Sequence, residues 1–157
     1  MPASPSPRPG YRALLQLLRT ADTVWNASRD FFARWELSPA QFNLLNLLTD
    51  ETGGLTQSDL SRELLTHRSN ITGLVDRLEK RGLVRRCEEK GDRRAWRVVL
   101  VPKGRLLMEK ILPDYYRAAE TVWEGISQRR TDALVGTLKA IAVNVETAQR
   151  NLHSRFE

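Results

Sequence analysis

A chain of 157 residues, 41% hydrophobic and 28% charged, suits one soluble domain with a real core, or a small domain plus helices that join it to a second copy. No apolar run approaches the roughly 18 residues a membrane span needs, which excludes a transmembrane helix and places the protein in a cytoplasm. The formal net charge is +6, and one cysteine, Cys87, with two histidines, His67 and His153, supplies neither an internal disulfide nor a zinc site.

Met1 to Gly10 holds four prolines and no apolar core, and reads as a disordered lead-in rather than a signal peptide. Apolar residues then recur near helical spacing through Leu14, Leu18, Val24, Trp25, Phe31, Phe32 and Trp35, predicting a long first helix over 11–37. Ser38 and Pro39 supply the cap and first-turn proline of a second helix to Thr49, with Phe42, Leu45 and Leu48 inward and Gly53-Gly54 beyond its end. Thr56 and Asp59 predict a capping box for a short third helix to about Leu65. Thr66 then caps a fourth helix from His67, with Ile71, Leu74, Val75 and Leu78 inward and Gly82 as its left-handed end.

Leu83 to Glu88 and Ala95 to Val101 are strand-like, with Glu89 to Arg94 as a long charged hairpin tip. Pro102 opens a fifth helix that reaches Trp123, with a kink expected near Glu109 because Pro113 lacks an amide donor. Thr131 caps a last helix, Asp132 to Leu152, striped by Leu134, Leu138, Ile141, Val145 and Ala148. The fold class is therefore mostly α with a small β-hairpin wing: a lead-in over 1–10, a first helix over 11–37, a winged helix-turn-helix over 38–101 and C-terminal helices over 102–157.

The basic charge is local. Residues 61–105 hold 13 Lys or Arg against 6 Asp or Glu, while the rest of the chain holds 12 against 13, so the cationic field belongs to the helix-turn-helix and points to a polyanionic partner. A helix entering the major groove N-terminus first presents short polar and basic side chains to base edges, which nominates His67, Arg68, Ser69, Asn70 and Thr72. Gln57 and Ser58, at the start of the third helix, suit a phosphate. At the wing, Arg93 and Arg94 suit the narrow minor groove, with Asp92 holding an arginine in place. The stripes on Leu14 to Val24 and Leu134 to Ala148 lack cover in so short a chain, which suggests a homodimer over an inverted repeat.

The run Leu64 to Arg86, with its Leu78-Glu79-Lys80-Arg81-Gly82-Leu83-Val84 helix exit followed by Gly91-Asp92-Arg93-Arg94, resembles the multiple antibiotic resistance regulator (MarR) family, and the flanking helices match its order from Gly10 onward. The resemblance implies a homodimeric winged helix-turn-helix transcription factor, usually a repressor, released from double-stranded DNA by a small aromatic or phenolic ligand. It implies base or backbone contacts for His67, Arg68, Ser69, Asn70, Thr72 and Arg77, and minor-groove entry for Arg93 and Arg94 with Asp92. The family's ligand cleft corresponds to a region holding Trp25, Arg29, Phe32 and Trp35. Three residues depart from the pattern: Leu100-Val101 replaces a common Leu-Thr, Cys87 lies in the wing rather than the first helix, and Pro113 interrupts the fifth helix.

A winged helix that binds another protein, with its basic face merely solvated, is the competing reading. An enzyme is not expected, because no serine, cysteine or carboxylate pair has a partner at catalytic spacing and no phosphate-binding glycine loop is present. No metal or other cofactor is expected either.

Overall fold

The computed structural model describes residues 8–64, 66–89 and 92–153. Its order is α1 (Pro9–Ala33), α2 (Pro39–Thr49), β1 (Leu55–Thr56), α3 (Gln57–Glu63), α4 (Arg68–Lys80), β2 (Val84–Glu89), β3 (Asp92–Leu100), α5 (Pro102–Val122) and α6 (Gln128–His153). Two compact units divide the chain, Met1–Lys110 and Ile111–Glu157.

In the first unit each helix boundary has a local chemical cause. At α2 the Ser38 hydroxyl accepts from the Gln41 amide while the Gln41 side chain accepts from the Ser38 amide, with Pro39 in the first turn. Thr56 and Asp59 do the same for α3. Gly82 ends α4 at φ 66°, a left-handed conformation that costs a residue without Cβ little.

The core follows from the inward faces of these helices. Phe42, Leu44, Leu45 and Leu48 of α2 are buried with Leu60 of α3 and Ile71, Leu74, Val75 and Leu78 of α4. Val84, Val98 and Leu100 close it from the sheet, and Phe32 of α1 stacks on Phe42 with ring centroids 4.1 Å apart.

The sheet is antiparallel with order β1-β3-β2. Gly54, at φ 72°, brings the chain beside β3 so closely that a Cβ there would run into the Val98 carbonyl. This places Leu55 opposite Val98 and Thr56 opposite Arg97, a two-residue third strand too short for alternation to reveal. Between β2 and β3 the pairs run from Val84–Leu100 to Glu88–Trp96, and then the register shifts so that Glu89 pairs with Asp92. Asp92 to Arg94 therefore lie on β3 rather than in a long tip.

Four further boundaries differ from expectation. α1 begins at Pro9, inside the stretch read as lead-in, because proline fits a first helical turn whose amides have no helical acceptor. His67 rather than Thr66 is the cap position of α4, and the Thr66 hydroxyl instead accepts from the Asn70 side chain at 3.1 Å. α5 runs from Pro102 to Val122 without a break at Pro113 and ends one residue before the expected Trp123. α6 begins at Gln128, a turn before Thr131, whose hydroxyl donates back to the Ser127 carbonyl.

In the second unit, α5 ends and α6 begins around a turn at Gly125, φ 78°. Leu134, Leu138 and Val145 of α6 are exposed. No helix among the described residues is long and apolar enough to cross a membrane.

Candidate nucleic-acid interface

Helix α4 buries one face and exposes the other. Its apolar residues Ile71, Leu74, Val75 and Leu78 are in the core, while His67, Arg68, Ser69, Asn70, Thr72 and Arg77 are all exposed. The burial itself orients the polar face, since at 3.6 residues per turn the inward stripe leaves these six positions outward.

Neighbouring groups restrain several of them. Arg68 Nη2 donates to the Ser58 hydroxyl, tying the start of α4 to the start of α3. Asn70 is held by Thr66, and the Thr72 hydroxyl donates to the Arg68 carbonyl at 3.3 Å. Ser58 is exposed and Gln57 half-buried beside this corner. Asp59, hydrogen-bonded by Thr56 and paired with Arg62 at 2.9 Å, has its acidity strengthened below the ordinary aspartate pKa, first by the Thr56 hydroxyl and then, against a burial cost, by the Thr56 amide and Arg62.

One clamp was not visible in the sequence. The Arg86 amide donates to Glu79 Oε1 at 2.9 Å, its Nη1 to Glu79 Oε2 at 2.5 Å and its Nη2 to Asp76 Oδ1 at 2.6 Å. Burial lowers the pKa of this guanidinium, but the bonds it donates to Asp76 and Glu79 outweigh it and raise the pKa overall. Arg86 thereby fastens the wing strand β2 to the back of α4. It sits seven and ten residues from its partners across a helix exit and a turn, where no helical or strand period links them.

A second pair of bonds joins α4 to α1. Arg81, following α4, donates to the Glu36 carbonyl at 2.5 Å and the Trp35 carbonyl at 3.2 Å. The chain leaves α1 at Glu36 with φ 55°, and the arginine caps carbonyls that α1 cannot satisfy internally.

The wing positions Asp92, Arg93 and Arg94 are on β3 next to the register shift. Their side chains, and Gly91, lie outside the described residues.

Between α1, α2 and α4 an open cavity of about 590 Å³ is lined by Trp25, Asn43, Thr66, Asn70 and Arg77, among others. Of the four residues expected in a ligand cleft, only Trp25 lines it. Phe32 is spent in the core, stacked on Phe42. Arg29 is exposed elsewhere on α1. Trp35 is half-buried, its indole nitrogen buried with no hydrogen-bond partner among the described residues. Helical spacing sets these residues around α1 and its exit without saying which face of the helix meets a cavity.

Comparison with known proteins agrees with this architecture. The MarR family model matches residues 35–95, the span from the end of α1 through most of the wing. The Bacillus subtilis HTH-type transcriptional repressor YetL is 30% identical over 125 residues, covering 79% of this chain and 75% of YetL. The chain belongs to the MarR family. The Escherichia coli transcriptional repressor MprA is 33% identical over 91 residues, and this MarR-family chain matches about half of MprA's length, 52%. Among solved structures, CouR from Rhodococcus jostii RHA1 bound to p-coumaroyl-CoA superposes with a TM-score of 0.72 at 27% identity, over 81% of this chain and 88% of CouR. Family membership and the winged-helix fold are thus settled together.

Proposed function

We propose that this MarR-family protein is a cytoplasmic, homodimeric transcriptional regulator that reads an inverted-repeat DNA operator and acts as a repressor released by a small aromatic ligand. The observation that carries the reading is the polar face of α4: six exposed side chains, His67 to Arg77, on a helix fastened by Arg86 to a basic wing. The major-groove contacts belong to Arg68, Ser69, Asn70 and Thr72, with His67 and Arg77 at the edges. Ser58 and Gln57 meet the backbone, and Arg93 and Arg94 enter the minor groove with Asp92 as their orienting partner. The exposed apolar residues of α6, with Leu14, Leu18 and Val24 of α1, are covered by a second copy.

The ligand site is the cavity under α4. Its volume falls within the range of small-molecule sites, Trp25 offers a ring face, and Arg77 offers a cation, with Asn43 and Thr66 as polar partners. A planar aromatic carboxylate or acyl conjugate satisfies all three. CouR, whose structure holds p-coumaroyl-CoA, supports this class of ligand. Because Asn70 and Arg77 belong to both the cavity wall and the exposed face of α4, a bound anion competes directly with DNA for the same side chains.

The test is duplex binding by the full chain across a salt series. Wild type should show log K falling steeply with log salt, and Arg93→Ala should lower the slope by roughly one unit if the side chain neutralises one phosphate. A panel of small aromatic acids should then release the duplex from wild type, and the Trp25→Ala variant should keep DNA affinity while losing that response. A flat salt dependence in wild type contradicts the reading.

A further inference from the structure

On the wing, side chains two residues apart on a strand share a face, and cross-strand partners share it too. By this rule Val84, Arg86 and Glu88 of β2 lie on one face with Leu100, Val98 and Trp96 of β3. Toward the base of the hairpin this face is closed: Val84, Val98 and Leu100 are buried, and Arg86 is sealed by Asp76 and Glu79 of α4. One pair further out the cover ends. Glu88 is exposed and Trp96 stands 46% exposed, a large indole that leaves nearly half of its surface open on this face of the wing.

What surrounds this indole in the sequence is charged with cations in excess, although Glu88 is its cross-strand partner and Glu89 follows. Arg93, Arg94 and Arg97 lie within three residues of it on β3, and Arg85 and Arg86 are on the paired strand. Arg86 is neutralised by its two carboxylates, and Arg97 donates to the Gly54 carbonyl at 2.8 Å. Trp96 therefore sits one pair beyond Arg86, on the wing face that nearer its base is held against α4, and an occupant there must tolerate positive charge and offer an apolar surface beside hydrogen-bond acceptors. The sugar-phosphate backbone of duplex DNA does both: deoxyribose carbons accept an aromatic face, and phosphate oxygens accept the indole N–H.

We propose that Trp96 is an uncharged DNA-backbone contact, its ring packed on deoxyribose and its Nε1 donating to a phosphate on the strand that separates the groove entered by α4 from the groove entered by the wing. This rests on the DNA-binding reading above and adds to it a contact with its own signature. An uncharged side chain releases no counterion of its own, so its loss weakens binding without changing the salt slope, whereas loss of a phosphate-neutralising arginine lowers the slope.

The experiment uses the full chain and labelled duplexes selected from a random pool by the wild-type protein, with affinity measured by anisotropy at several salt concentrations. Trp96→Ala should weaken binding about 5- to 10-fold at each salt concentration with an unaltered slope, and Trp96→Phe, which keeps a ring but loses the donor, should fall about 2- to 3-fold. Thermal melting should show both variants folded at the assay temperature. If both variants bind within about 1.5-fold of wild type while wild type itself binds selectively, the Trp96 contact is overturned and the DNA reading stands. If the slope falls with the affinity, the contact is not an uncharged one and the inference is overturned as well. If wild type selects no duplex, the DNA reading itself fails.

Discussion

The Asp59 carboxylate closes a ring with Thr56, accepting from that residue's amide and hydroxyl while the hydroxyl accepts from the Asp59 amide. Because its pKa is held below the ordinary value of 3.8, chiefly by the Thr56 hydroxyl, the stabilisation is present above that value and is lost as pH falls through the folded pKa. Asp59→Ala should therefore cost about 1 kcal/mol near neutrality, and the gap to wild type should narrow as pH falls below 3.8 through the folded pKa, read by denaturant melts across pH. Gly54 is a sharper residue-scale case. Its positive φ and its contact with the Val98 carbonyl leave no room for Cβ, so Gly54→Ala should destabilise by about 1–3 kcal/mol or more in a thermal melt. The capping box was legible in the sequence because its partners are three residues apart. The close approach of Gly54 to β3 was not, because it joins residues more than forty positions apart.

Among the elements, the relation between α4 and the wing matters most. Three hydrogen bonds through Arg86 set the strand against the helix, and with that side chain only 23% exposed they are worth more than a solvated pair. The double variant Asp76→Asn, Glu79→Gln should lower stability by about 1–2 kcal/mol. On the proposed function it should also reduce discrimination between selected and random duplex by about tenfold while leaving nonspecific affinity unchanged, since only selective binding needs both readers in register. An equal loss on both duplexes would mean the clamp serves stability alone. The elements themselves were mostly legible: the inward residues of α4, and Phe42, Leu45 and Leu48 of α2, are those the helical period selected, while Leu44 is buried as well. The misses share a cause. β1 has two residues, the shift at Glu88/Glu89 obeys no period, and Thr66 turned to Asn70 because a side-chain donor competed with the helix amides for the same hydroxyl.

At the scale of the whole molecule, the exposed apolar stripe of α6 carries the claim of a dimer. Replacing Leu134 and Leu138 by Asp should convert the protein to a monomer in sedimentation velocity, while its helix content stays that of the folded chain, because both side chains are already 40% and 37% exposed. An undisturbed oligomer would move the interface elsewhere. The measurement that bears most directly on the proposed function is selection of sites from random duplex followed by a change in their half-site spacing. Two α4 helices related by a two-fold axis predict selected sites with inverted symmetry and centres about one turn, roughly 34 Å, apart. Inserting about 5 base pairs, which rotates one half-site to the opposite side of the duplex, should abolish selective binding. Selected sites without inverted symmetry, or an affinity indifferent to that insertion, would contradict it.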